Sequence, residues 1–156
     1  MVTASTDPTL PANTGPSSER LDIACRQDIE RLMLRFYSRA FADPLIGAVF
    51  TDVARVDLQA HVPVVSDFWE SALLQSRNYR RNAFVVHRQL DDHYPLLVVH
   101  FERWLEIWTA TVDSLYAGPV AEHAKTQGTR IARSMARRLN ARRLCVGELL
   151  EPTRLD

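Results

Sequence analysis

The chain has few of the residues that small secreted or metal-stapled proteins depend on. Only two cysteines, Cys25 and Cys145, occur in 156 residues, too few and too far apart for a disulfide framework, and no C-x-x-C pair is present to hold zinc. A reducing, cytoplasmic location is the expectation. Glycine is scarce too, and no G-x-G-x-x-G, P-loop, G-x-S-x-G elbow or H-E-x-x-H occurs, which removes support for dinucleotide, nucleoside triphosphatase, serine hydrolase and zinc protease chemistry. No stretch approaches the roughly 18 apolar residues that suggest a membrane span, and the N-terminus lacks the basic and apolar regions of an export signal. Neither membrane insertion nor export is expected. Neither sign of charge dominates, since 19 basic residues meet 19 acidic ones. A polybasic nucleic-acid binder is therefore excluded as a description of the whole chain, and any charged partner must meet a local patch.

What is present is a helical period. With 46% hydrophobic and 24% charged residues, the chain suits one soluble domain around one core. Residues 1–19 hold three of the eight prolines among Thr, Ser, Ala and Asn; they offer little apolar surface and predict a disordered arm. Ile29, Leu32, Met33, Phe36, Tyr37, Ala40 and Phe41 then recur at three- and four-residue spacing, the pattern of one buried helical face. Asp43-Pro44 ends that helix, because the residue before proline is pushed out of the helical region. A second helix is predicted from about His61 to Leu74, with Pro63 in its first turn and His61, Val65 and Phe68 on one stripe. An arginine-rich loop leads to the apolar segment Ala83 to Leu90, where His87 shares a face with Ala83 and Phe84. Pro95 is predicted to open a helix reaching about Tyr116, with Phe101, Trp104, Leu105, Trp108, Val112 and Leu115 inward. Gly118 and Pro119 separate it from a last helix running to about Leu144. Strand alternation, hairpin dipeptides and internal repeats are lacking, so the class is all-α, with about five or six helices.

Two histidines on apolar faces, His61 and His87, stand out as candidates for chemistry, beside Tyr37 and the tryptophans. Taken singly, each reads first as a core side chain satisfied by one hydrogen bond. Asp91-Asp92-His93 reads as a turn and helix-start signal in preference to a metal site. Between Glu122 and Glu148 lie seven basic residues and no acid, namely Lys125, Arg130, Arg133, Arg137, Arg138, Arg142 and Arg143. Such a run forms either a solvated face or a dock for an acidic partner.

Taken together, the segments resemble the group III truncated haemoglobins. I-E-R-L-M-L-R-F-Y, ending at Tyr37, is similar to that family's B helix and distal tyrosine. D-P-L-I-G-A-V-F resembles the turn after it, with Phe50 at the wedge phenylalanine. His61 followed by Asp67-Phe68-Trp69 resembles the E helix and its distal histidine. F-V-V-H matches His87 to the proximal iron ligand, and F-E-R-W-L-E-I-W matches Trp104 to the distal tryptophan. The chain departs from the family's pattern at Leu58, where a tryptophan is common, and at Arg81, where a glycine is.

The resemblance implies a truncated globin fold, a two-over-two helical sandwich, over residues 20–146, followed by a tail at 147–156. It implies haem b (iron protoporphyrin IX) held by His87, with Phe36, Phe50, Val65, Phe68, Trp69 and Tyr94 around the porphyrin and Tyr37, His61 and Trp104 facing the ligand. Arg80, Arg81 and Arg88 are candidates for the haem propionates. Dioxygen, nitric oxide or similar diatomics are the implied ligands, and the reactions are nitric oxide or peroxide chemistry fed by an external reductase, with the protein a monomer or weak dimer. The alternative from the residues alone is a cofactor-free helical interaction domain that uses its basic last helix.

Overall fold

The structure, a computed structural model, describes residues 20–150, and side chains as far as Leu144. The arm expected over residues 1–19 and the end of the tail, 151–156, lie outside the described residues. Among the described residues five α-helices carry the fold: α1 (Arg26–Phe41), α2 (Leu58–Leu73), α3 (Ala83–His93), α4 (Val98–Leu115) and α5 (Pro119–Leu150). A π-helical turn, Val49–Val53, stands between α1 and α2. There is no strand among the described residues.

Helix α1 forms where the three- and four-residue spacing predicts it. Asp28 reaches back to accept from the backbone N–H of Ala24 and Cys25 at 3.0 and 3.2 Å, which satisfies donors the first turn leaves free. Its apolar stripe, Ile29, Leu32, Met33, Phe36, Tyr37 and Ala40, is buried along its whole length. Ala42 caps the helix just before Asp43-Pro44.

Helix α2 begins earlier than its apolar pattern predicts. The Asp57 carboxylate accepts from the Gln59 N–H at 3.0 Å and so starts the helix at Leu58. His61 accordingly lies inside the first turns and not at the helix start, and Pro63 falls in the body of the helix. Arg26 fastens the two helices, donating to the Pro63 carbonyl at 3.0 Å and to Glu70 at 2.9 Å.

Helix α4 begins later than predicted, at Val98 and not at Pro95. Asp91 accepts the Leu96 N–H at 2.8 Å and the His100 imidazole accepts the Leu97 N–H at 3.0 Å, so Pro95 and Leu96 are held in the connection and the cap moves to Leu97. The α4–α5 corner follows the sequence more closely. Gly118 takes φ +140°, a conformation glycine tolerates, and Pro119 opens α5. Asp22 lies against that glycine and accepts from Val120 and Ala121 at 2.9 and 2.8 Å, capping α5 from the other end of the chain. Helix α5 continues past residue 146 to Leu150.

The helices form two pairs, α1 with α2 and α4 with α5, which meet through α1 on α4 and α2 on α5. The main core lies between the pairs, built from α1, the inner faces of α2 and α4, and the start of α5. Helix α3 stands apart from it and packs on α5. There a second, smaller cluster of Val49, Leu96 and Leu139 is flanked by half-buried Phe84, Leu90 and Phe101.

Candidate functional site

Between the main core and the α3 cluster lies a seam edged by half-buried apolar side chains. Phe50, Leu58, Val65, Phe68, Trp104 and Leu105 stand on the core side, while Phe84, Leu90 and Phe101 stand on the other. An interior normally buries such groups completely.

On the core side, Tyr37 on α1 meets His61 on α2, its hydroxyl 2.7 Å from Nε2 and the two rings edge to face at 5.1 Å. Phe50 stands 5.8 Å from the Tyr37 ring and closes the corner. Burial pushes the Tyr37 phenol far above its ordinary pKa, so it keeps its proton and remains a donor. His61 is pushed the other way, first by burial and then by the charge of His87, which favours neutral imidazole. That second influence also records that the two histidines lie within electrostatic reach of one another.

On the α3 side, Asn82 caps the helix by accepting from Phe84 N–H at 3.1 Å. His87 stands half-buried one turn on, with Nδ1 2.8 Å from the Ala83 carbonyl. A carbonyl can only accept, so Nδ1 carries the proton and the lone pair lies on Nε2. This is the arrangement that fixes a histidine as a metal ligand. An imidazole held through Nδ1, with Nε2 free, fits the donor that haem iron takes from a protein. Among the described residues there is no cluster of three or more His, Cys, Asp or Glu side chains able to hold a metal by themselves.

Comparison with known proteins bears on the fold. No family model matches the sequence, and no curated protein matches it. Among solved structures, the crystal structure of the group III truncated hemoglobin from Campylobacter jejuni superposes with a TM-score of 0.68 at 21% identity, covering 77% of this chain and 94% of that one. This chain has the truncated globin fold.

Within that fold the expected site residues fall into groups. Tyr37, Phe50, Val65 and Phe68 belong to or pack on the main core, His61 is hydrogen-bonded to Tyr37, and His87 stands on α3. Trp104 is half-buried at the core's edge, against Phe36 at 5.4 Å, and its indole N–H makes no hydrogen bond among the described residues. Phe36 and Trp69 lie deeper. Each is buried, Phe36 edge-on to Trp108 and Trp69 stacked on it. Tyr94 caps α3, more exposed than the others and tilted against His100 at 5.8 Å. Arg80, Arg81 and Arg88 are exposed.

The basic run of α5 divides in two. Lys125 pairs with Asp113 and Glu122, Arg142 with Asp92 and Arg143 with Asp91, while Arg138 lies 3.7 Å over the Phe84 ring. Arg130, Arg133 and Arg137 are exposed and form no ion pair among the described residues. Asp91 and Asp92 are thus arginine partners on α3. Asp91 is almost wholly buried and also holds the Leu96 N–H, while Arg143 reaches the Leu96 carbonyl at 3.4 Å. Sequence reasoning missed this clip. Its trace was the doublet Asp91-Asp92, one turn beyond His87, matched by the doublet Arg142-Arg143.

Proposed function

We propose that this globin binds haem b through His87 Nε2 and takes dioxygen, nitric oxide or a related small molecule on the Tyr37 and His61 side. The observation that carries the reading is the His87 Nδ1 contact with the Ala83 carbonyl, which leaves Nε2 free for a ligand bond. Bound haem would supply an iron with one open position for a diatomic ligand or peroxide. The chain's residues would do the rest. Ala83 holds the His87 tautomer, and the half-buried apolar rows exclude water, so that each hydrogen bond inside is stronger. Tyr37 keeps its proton and can turn its hydroxyl from His61 to a ligand oxygen. Trp104 has an uncommitted N–H for the same purpose, and neutral His61 accepts the Tyr37 hydroxyl's hydrogen bond until a ligand takes it. Donors aimed at developing negative charge favour oxidation of nitric oxide or peroxide reduction over simple release of oxygen. Phe50 and Val65 would touch the ring, with Phe36, Phe68 and Trp69 behind them and Tyr94 at its margin, and Arg80, Arg81 and Arg88 are available to its propionates.

The chain has no flavin or nicotinamide motif, so repeated turnover needs an external electron donor. Arg130, Arg133 and Arg137 are the free cationic patch for it. The cofactor-free interaction domain is the weaker reading, because more than half of the basic run is engaged inside the protein. Hemin titration decides the main point. The expected result is one equivalent bound with a Soret band, and loss of the ligation spectrum in His87→Ala. A protein that stays colourless with hemin would overturn the reading.

A further inference from the structure

The three tryptophans of the chain form one continuous ladder. Trp104, half-buried beside the seam, lies parallel to Trp108 within 9° at a ring separation of 5.6 Å. Trp108 in turn stacks on Trp69 at 4.1 Å and 18°. Trp108 is fully buried and tightly seated. Gly128 passes beneath it where a Cβ would come within 2.6 Å of the indole, and its Nε1–H donates to the Ala124 carbonyl at 3.0 Å. Beyond Trp69 stands Phe68, edge-on at 5.4 Å, and beyond Phe68 stands Tyr79 at 5.1 Å, half-buried in the α2–α3 connection. Indole and phenol are the side chains that give up an electron most readily among the aromatics, and ring contact couples them far better than saturated chain does. The proton partners give the ladder a direction. An oxidised Trp108 cannot hand its N–H proton to a carbonyl, so its electron deficit is not trapped there, whereas Tyr79 can release its phenolic proton to water.

We propose that Trp104, Trp108 and Trp69, joined through Phe68 to Tyr79, conduct single electrons from the protein surface to the pocket for reduction of a hydroperoxide. The inference rests on the haem reading above, because the peroxide must be activated beside Trp104. Per hydroperoxide, two electrons travel inward one at a time, two protons enter the pocket, the O–O bond breaks, and water and an alcohol leave (two waters from hydrogen peroxide). At the outer end, each electron leaves Tyr79 as its phenolic proton passes to water. Each phenoxyl so formed is returned to phenol by a hydrogen atom from an external reductant of the ascorbate or phenol class.

The test uses full-length ferric protein loaded with hemin, mixed with hydrogen peroxide, freeze-quenched and read by electron paramagnetic resonance, with spin-trap adducts mapped by mass spectrometry. The expected radical is a tyrosyl at Tyr79. Trp108→Phe should lower the Tyr79 adduct several-fold, and Trp104→Phe, at a more exposed site, should do the same if the first variant folds poorly. Tyr79→Phe should turn the signal into an indole radical that lasts longer. Normal hemin binding with peroxide consumption, but adducts at Tyr79 unchanged by either tryptophan variant, overturns the ladder and leaves the haem reading standing. Failure to bind hemin removes both.

Discussion

The two sides of the seam are built by different physics. The α1–α2 side is a close-packed core in which Ile29, Leu32, Met33, Phe36 and Trp108 have essentially no exposure, so Tyr37 and His61 are held by packing. The α3 side has little such burial. Val85 and Val86 remain exposed on the helix itself, and α3 is held by Arg143 on Asp91, Arg142 on Asp92 and Arg138 on Phe84. Apolar packing is bistable and stiff, whereas partly exposed ion pairs are weak and yielding. Tyr37 and His61 are therefore set in advance. The helix that carries His87 has freedom to adjust.

The strongest way to break this contrast is at the core. Phe36→Ala removes a ring that touches Tyr37, Trp104 and Trp108 and should cost about 3–5 kcal/mol. Denaturant unfolding of the hemin-free protein measures this, and the loss should be global. A change confined to the α3 amides would mean that the two sides had been assigned the wrong way round.

Next in size is Arg143→Leu. It leaves the Asp91 carboxylate buried with only the Leu96 N–H as partner, at a cost of about 1–3 kcal/mol. Hydrogen exchange should show faster opening of α3 and the α3–α4 connection while α1 keeps its protection. Arg143→Lys should restore part of the protection. Equal acceleration in α1 would show that α3 belongs to the same cooperative unit.

How far the sequence alone reaches follows the same division. The α1 face is legible because burial by packing leaves a period, and Ile29 to Ala40 repeat at helical spacing without interruption. The corner at Gly118-Pro119 is legible because backbone conformation there restricts the residue type. The starts of α2 and α4 are misplaced by sequence reasoning because polar caps, and not the apolar period or proline, set them. Asp57 starts α2 ahead of its apolar pattern, and Asp91 and His100 hold back α4 from a position where Pro95 alone would open it. Among the site residues, His87, Tyr37 and His61 could be named from the resemblance, since each follows a recognisable segment. The division of the basic run could not be. Arg143 and Arg133 look alike in sequence, and only the fold brings an aspartate to one of them.

A smaller effect sharpens the contrast through pH. His61 has its pKa lowered in the folded protein, by burial first and by His87 second, from the ordinary value of 6.5. Below that value the unfolded chain takes up the proton more readily than the folded one, so protons favour unfolding. The stabilising share of neutral His61 is fully present above pH 6.5, and it is lost progressively as the pH falls from there through the lower folded pKa. Unfolding midpoints measured on either side of 6.5 should therefore drop on the acid side, and His61→Phe should flatten that segment of the profile. An unchanged acid limb in the variant would assign the dependence to other groups.

The smallest expected effect on stability concerns Arg133 and Arg137. Both are exposed and unpaired among the described residues, so Arg133→Glu with Arg137→Glu should shift unfolding by no more than about 0.5 kcal/mol per site, in contrast to Arg143→Leu a short way along the same helix. What these residues can change is encounter with a partner. Complementary charge raises association rates, and salt screens the gain over roughly 8–10 Å at physiological ionic strength. With an acidic electron donor, reduction of the hemin-loaded protein should slow as salt is added, and the double reversal should be slow already at low salt with little further dependence. If the reversed protein is reduced as fast as the parent at every salt concentration, this stripe is a solvated face, and the donor docks elsewhere, with the exposed edge of α3 the next surface to probe.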